Sequence, residues 1–524
     1  MTTADVEEKR EDVDRRSPST EEKLSKQPTN IVGRIAEWFD TRFGLSYPFL
    51  RDAPVYSINP FYWLGALTVV AFVIQGITGM LMMLYYVPSL TQAYSSTQFI
   101  FQNVSYGRFL ETVHLYTAYA MIMLAFMHMM RGYFVSVYKK PREAMWIVGM
   151  IMGFVTLGFG FTGYLLPWTV VSKSATDVGV GMISALPQPF SSFLKFLVVG
   201  ASGDAGVLLR FYDLHVIVLP AVLLLLLVTK MYMLEAHGVS EPQNGVEHLN
   251  NNQRKLIPIF PDVTFYLVEL AAFFGAIILV ISALFPLTLP PEYTPQLAAQ
   301  YTSQPDWYFL WIYQILKFKV FETAGLPVAL SLITLIFIVL ILLPFIDRGE
   351  TRSIGRRIKF VTLGAVFAGE VITLSVWGEL TPGQVIPNEQ GVIVLGGIAL
   401  LVTLGSVITY RIISRSSRRT RKVASPVKIS NEKLPLTRSA SLWTAACFSG
   451  LIGLATFSIG GSVGSLASVL LDGWNGPLIG SLALYSGGLA ISVLGTVYFL
   501  YRLELGSGSL KRRIRLFEAG WKDN

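Results

Sequence analysis

The stretch "HVIVLPAVLLLLLVTK", residues 215–230, opens on a histidine and closes on a lysine, with only apolar residues, Pro220 and Thr229 between them. With its neighbours it forms an apolar block over 211–234, and a bilayer core of about 30 Å is crossed by about 20 residues of helix. The block therefore reads as a membrane helix with an ionisable side chain near each end. Such residues at membrane depth are costly and point to function.

The same pattern recurs along the chain. Apolar blocks lie near 60–87, 110–136, 145–166, 211–234, 264–286, 324–346, 360–378, 391–412, 442–471 and 477–501. The 524 residues are 52% hydrophobic and 15% charged, with a mean hydropathy of +0.52. The expected fold is all-α, a polytopic transmembrane bundle of about ten helices by that length rule. The first thirty residues are charged and polar without an apolar h-region, so the sequence reads as lacking a cleavable signal peptide.

A net charge of +8 could suggest nucleic acid, but the basic residues sit in alternate loops. Lys139, Lys140 and Arg142 follow the second block, Arg348, Arg352, Arg356 and Arg357 the sixth. Arg415, Arg418, Arg419, Arg421 and Lys422 follow the eighth, and Lys511, Arg512, Arg513 and Arg515 the last. This is the positive-inside pattern of a cell-membrane protein with both termini cytoplasmic. Nucleic acid is not an expected partner, and helices two and four run inward. The single Cys447 excludes an intramolecular disulfide and a CxxCH haem attachment, so a metal must be held mainly by nitrogen or oxygen.

Three of the five histidines lie in apolar blocks: His114 and His128 on the second, His215 on the fourth. Fourteen helical residues separate His114 from His128, which is about 21 Å of rise and within about 40° of one face. His114 and His215 fall at the same outer depth, where one metal could take both, and neutral imidazole is a normal axial ligand of haem iron. Lys230 lies about 22.5 Å below His215 and about 60° around the helix, at the depth of His128. It is either a fourth ligand or a snorkelling lysine. His237 and Met233 are too deep, and Met231 points away.

These residues resemble the cytochrome b subunit of quinol-oxidising bc-type complexes over roughly 55–412. His114 and His128 with the following Arg131-Gly132 match that family's second helix, and the fourth helix resembles the plastid and bacterial form, with Lys230 where the family has histidine. Gly65 and Gly79 on helix one, and Gly149 and Gly163 on helix three, repeat the family's fourteen-residue glycine spacing. A residue without Cβ lets a flat porphyrin approach the backbone. "GYLLPW", Gly163 to Trp168 with Pro167, resembles the outer end of the family's third helix. "PDWYF", Pro305 to Phe309, resembles the quinol-site loop, which makes Asp306 the expected proton acceptor, with Tyr308 beside it.

The resemblance implies a four-helix core (55–240) holding two haems, of b type or a modified a type, and a C-terminal cytochrome b domain (241–412). It further implies a quinol or quinone substrate and a Rieske iron-sulfur partner. A homodimer or a supercomplex, with terminal oxidase subunits as in some archaeal assemblies, is also consistent. Glu235, Glu269 and Asp262 are candidates for an inner quinone site. The chain departs from the family at Lys230, and at Glu111, where an arginine usually pairs with a haem propionate and Arg108 is a substitute. It also departs in a 442–524 extension with two further helices, read as a docking surface beyond the basic 413–441 linker; residues 1–54 form a cytoplasmic tail. Competing readings are a dehydrogenase's cytochrome b anchor, against which "PDWYF" argues, a transporter without haem, and a scaffold that keeps only the outer haem.

Overall fold

The computed structural model describes residues 42, 53–200, 203–241, 256–257, 263–301, 304–352 and 354–420. The expected helices at 442–471 and 477–501, Asp262, and most of the N-terminal tail and basic linker lie outside the described residues. The described chain is almost wholly helical, apart from a two-residue antiparallel pairing of β1 (Ala53–Pro54) with β2 (Leu256–Ile257).

Among the described residues seven helices are long and apolar enough to cross a membrane: α1 (Leu64–Met83), α3 (Gly107–Phe134), α4 (Glu143–Leu165), α7 (Gly203–His237), α8 (Tyr266–Leu284 of Thr264–Leu284), α14 (Ile358–Leu380) and α15 (Asn388–Ile408 of Asn388–Thr420). At 1.5 Å per residue, twenty residues of helix cover about 30 Å. An eighth apolar helix, α12 (Leu326–Ile341), is shorter and runs into the single turn α13 (Leu343–Ile346) across Pro344. Shorter helices fill the connections: α2 (Ala93–Gln102), α5 (Val170–Ala185), α6 (Phe190–Val198), α9 (Pro295–Gln300), α10 (Leu310–Leu316) and α11 (Lys319–Ala324). All eight apolar blocks between 60 and 412 are thus helical, with ends that differ from the hydropathy pattern. The fourth starts at Gly203 instead of 211, because GDAGVLLRFYD continues the helix into the loop with Asp204 in the favourable first turn.

Two antiparallel pairs build the N-terminal half: α1 packs along α3, and α4 along α7. In the C-terminal half α14 packs against α10 and α15, around Trp311, Ile315, Phe318, Ile333, Leu374 and Ile386. The two halves meet where the α3–α4 loop reaches the α13–α14 connection. The Asp347 carboxylate accepts from Tyr138 Oη at 2.8 Å and Lys139 Nζ at 3.0 Å. It also pairs with Arg357 at 2.7 Å, and its side chain is only 4% exposed. Burial pushes the Asp347 carboxyl up, but these donors outweigh it and hold the group below its ordinary value. Tyr133 Oη donates to Phe360 O at 2.7 Å while its ring lies against Gly364, so a side chain at 364 would drive the halves apart.

Asp347→Ala leaves Lys139 and Arg357 buried without their counter-charge and is expected to cost about 3–5 kcal/mol, visible as a lower unfolding temperature in detergent. Because the native carboxyl titrates below its unfolded counterpart, its contribution is full above about pH 4 and is lost as pH falls through the depressed native value. A melting temperature unchanged by the substitution rules out this seam as a stabilising contact.

Candidate functional site

The four-helix half places its glycines and ionisable residues opposite one another at two levels. At the first level, a Cβ built on Gly79 of α1 would lie 3.5 Å from the His114 ring, and one on Gly163 of α4 would lie 2.5 Å from the His215 ring. At the second, a Cβ on Gly65 would lie 3.1 Å from the His128 ring, and one on Gly149 would lie 2.8 Å from Lys230 Nζ. Each residue of the expected ligand set therefore faces one glycine of the expected glycine set.

At the first level each imidazole is held by the threonine that precedes the glycine it faces. Thr78 Oγ1 donates to Ile74 O at 2.7 Å and lies 2.8 Å from His114 Nδ1. Thr162 Oγ1 donates to Gly158 O at 2.8 Å and lies 3.0 Å from His215 Nδ1. A hydroxyl has one proton. With it spent on a helical carbonyl, each threonine accepts from the imidazole Nδ1–H, and the Nε2 lone pair is left free. Fixing the far ring nitrogen in this way is how ligating histidines are oriented. The two ring centroids are 6.4 Å apart at an interplanar angle of 62°. Among the described residues no group of three or more His, Cys, Asp or Glu converges. A two-ligand site between glycines fits an iron porphyrin, and does not fit a structural zinc site, which needs four ligands.

Helix α7 reaches the second level through an irregular turn. Residues Leu214–Val218 form a π-helical turn in which Leu219 N–H bonds to Leu214 O. Pro220 follows directly and has no N–H to continue the α pattern. Such a turn takes up one extra residue. The fifteen-residue step from His215 to Lys230 is thereby equivalent to the fourteen-residue step from His114 to His128, and the rotation of about 60° expected for an unbroken helix is reduced to that of α3. The other neighbours of Lys230 are engaged elsewhere. Met233 is fully buried against Ala144 and Met145, His237 Nδ1 lies 2.8 Å from Met233 O, and Met231 is exposed. Arg131, one turn past His128, stacks over the Tyr62 ring at 4.1 Å. Glu235 is half-buried on α7, five residues beyond Lys230, and Glu269 is exposed.

At the opposite end Asp306 precedes a short 3₁₀ turn, Trp307–Phe309, and is received by two phenols. Tyr119 Oη donates to Asp306 Oδ1 at 3.0 Å and Tyr308 Oη to Oδ2 at 3.1 Å. Tyr308 is buried, its hydroxyl filling the space opposite Gly160 of α4. Burial pushes the Asp306 carboxyl above its ordinary value, and the two hydrogen bonds hold it partly back. The Gly163–Trp168 segment ends in a buried Trp168 with φ of 52°, a left-handed conformation that reverses the chain. Beyond Pro167, Thr169 bridges to Glu292, and Val170 N donates to Pro291 O at 3.0 Å. Arg108 donates to Leu287 O at 2.6 Å and also reaches Pro286 O, so it anchors the end of α8 rather than facing His114. Glu111 keeps a buried Oε2 with no hydrogen-bond partner among the described residues.

Sequence reasoning did not single out Thr78, Thr162, Tyr119 or Gly160. The first two carried a signal: both stand in a Thr-Gly pair, at 78–79 and 162–163.

Membrane-spanning helices with imidazoles facing glycines define an integral membrane protein with the elements of a haem site. Residues 119–296 match the family described as Cytochrome b(N-terminal)/b6/petB, and residues 294–404 match Cytochrome b(C-terminal)/b6/petD. The chain is 34% identical to a cytochrome bc complex cytochrome b subunit of Chlorobaculum thiosulfatiphilum, over 60% of this chain and 74% of that protein. It is 29% identical to cytochrome b of Sulfolobus acidocaldarius, over 74% and 72% respectively, and 34% identical to cytochrome b6 of a Cyanothece species, over 42% and 99%. In fold it is similar to a chain of a hyperthermophilic respiratory Complex III, with a TM-score of 0.55 and 24% identity over 72% of this chain and 96% of that one. The chain belongs to the cytochrome b family of bc-type complexes, the electron-transfer, haem-binding membrane subunits of these oxidoreductases.

Thr162→Val keeps the shape of the side chain but removes the acceptor from His215 Nδ1–H. Haem affinity at the first level is expected to fall about 10–100-fold, measured as faster haem loss to an excess of an apoprotein acceptor. An unaltered loss rate shows that the threonine does not orient the ligand.

Proposed function

We propose that this chain is the quinol-oxidising, transmembrane electron-transfer subunit of its complex, with one haem held by His114 and His215 at the outer level and a second held by His128 at the inner level. The observation that carries the reading is the carboxylate of Asp306, held by two phenols at the same end of the bundle as the His114/His215 pair. The haems, of b type or a modified a type, supply one-electron redox centres when bound.

Asp306 supplies the base. Oxidation of a quinol to a quinone releases two electrons and two protons, and a carboxylate buried beside the substrate takes one of those protons. General-base assistance of this kind contributes about 10²–10⁴-fold. Tyr119 and Tyr308 donate to both oxygens and so orient the acceptor. Gly160 leaves room for the Tyr308 ring, and the buried turn at Trp168 with the Thr169–Glu292 bridge closes the neighbouring wall. Arg131 is available to a haem carboxylate at the inner level, and Glu235 is the candidate for an inner quinone site. With Asp306 facing the exterior and His128 the cytoplasm, proton release and electron delivery occur on opposite sides and contribute to the proton-motive force. A Rieske-type iron-sulfur protein takes the other electron, and oxidase subunits and a second copy of the chain complete the assembly.

The decisive experiment is Asp306→Asn in the purified complex. Quinol oxidation is expected to slow by about 10²-fold or more with both haem spectra intact, and unchanged turnover removes Asp306 from the mechanism. Tyr119→Phe deletes one donor to the ionised form and so raises the carboxyl's pKa. Since the acceptor must be ionised, the acid limb of the pH–rate profile is expected to move to higher pH. A limb that stays in place, or moves down, overturns the role given to Tyr119.

A further inference from the structure

The second level has one imidazole where the first has two, and the place of the missing one is taken by a primary amine. Gly163 of α4 faces His215 of α7, and fourteen residues earlier on α4 Gly149 faces Lys230 Nζ. Gly79 and Gly65 face His114 and His128 in the same way on α1 and α3. Lys230 Nζ thus stands at the position in the second level that His215 occupies in the first, with the π turn at Leu214–Val218 supplying the register.

A lysine near the end of a membrane helix ordinarily extends its amine toward the headgroups. Here the side chain instead crosses toward α4, against a glycine in the middle of the bundle. Among the described residues it has no hydrogen-bond or ion-pair partner to explain that direction. An uncompensated ammonium at this depth is unfavourable, whereas an amine with a metal to bind is not. The other potential ligands on this stretch of α7, Met233 and His237, are turned to packing and to a backbone carbonyl.

We infer that the inner haem is held by His128 and Lys230, an imidazole–amine pair, in contrast to the two imidazoles of the outer level. The inference rests on the inner haem of the proposed function and names its second ligand. An ammonium has no lone pair, so the Nζ–iron bond forms with release of one proton from the side chain, and the iron keeps its oxidation state. Binding at this level is therefore pH-dependent, as for any ligand that must first deprotonate. The amine also lacks the aromatic ring of an imidazole, so its ligand field, and with it the near-infrared and EPR signature of the ferric form, differs from that of the outer haem.

The test uses the purified complex with the full chain, as wild type, Lys230→Ala and Lys230→His, and reads haem stoichiometry, low-temperature EPR and near-infrared magnetic circular dichroism. In wild type two low-spin haems with different ligand signatures are expected, one bis-imidazole and one imidazole–amine. Lys230→Ala is expected to lose the second signature, the inner haem becoming high-spin, open to exogenous imidazole, or absent. Lys230→His is expected to restore a low-spin inner haem with the bis-imidazole signature. Two unchanged low-spin haems in Lys230→Ala overturn the lysine alone, and so does failure of Lys230→His to hold an inner haem that wild type holds. A single haem in wild type overturns the inner haem of the proposed function, and the lysine with it.

Discussion

The apposition of four glycines with three histidines and a lysine is the constraint around which the N-terminal half is organised. A Cβ at Gly163 would enter the His215 ring at 2.5 Å, and one at Gly149 would approach Lys230 Nζ at 2.8 Å. Helices α4 and α7 could not keep their present spacing with a larger residue at either position unless the facing side chain moved. Glycine inside a helix costs roughly 0.5–1 kcal/mol relative to alanine. Four such positions at two matched depths show that close approach of the facing side chains outweighs local helix stability here. The threonine hydroxyls beside two of these glycines act at the next remove, because each has a single proton and spends it on its own helix.

The outer end shows a different economy. Asp306 is surrounded by phenols, with Tyr119 and Tyr308 in contact and Tyr164 nearby. No cation is paired with it among the described residues, whereas Asp347, at the seam between the two halves, has both a lysine and an arginine. The same residue type is therefore tuned in opposite directions. Two full positive charges make Asp347 a permanent anion fit for holding helices together. Neutral donors leave Asp306 able to exchange a proton, which is what the proposed reaction asks of it.

Much of this was legible in the sequence because hydropathy blocks and fourteen-residue spacings are one-dimensional signals. The helices between 60 and 412 and the shared depth of His114 and His215 follow from hydropathy and from counting residues along straight helices, and the glycine pairs from the resemblance to the cytochrome b family. What counting missed was contact between helices distant in sequence. Tyr119 meets Asp306 across 187 positions, and nothing local to either residue marks the pair. Arg108 looked like a replacement for an absent arginine by position alone, but the carbonyls at the end of α8 compete for it successfully. Helix ends shifted where loop residues such as Gly203–Asp213 have no reason to stop being helical. The rotation of about 60° between His215 and Lys230 was counted on a regular α-helix, and the π turn at Leu214–Val218 is the irregularity that counting could not show.

The π turn at Leu214–Val218 also bears on how this helix can change over time. A residue inserted into a regular helix turns everything after it by about 100°, which in a membrane bundle would present lipid-facing side chains to the core and the reverse. A wide turn ahead of Pro220 confines that disturbance to one loop of backbone. Lineages can gain or lose a residue at this point while the lower half of the helix keeps its packing partners, so a gap in a sequence alignment here corresponds to no displacement in space.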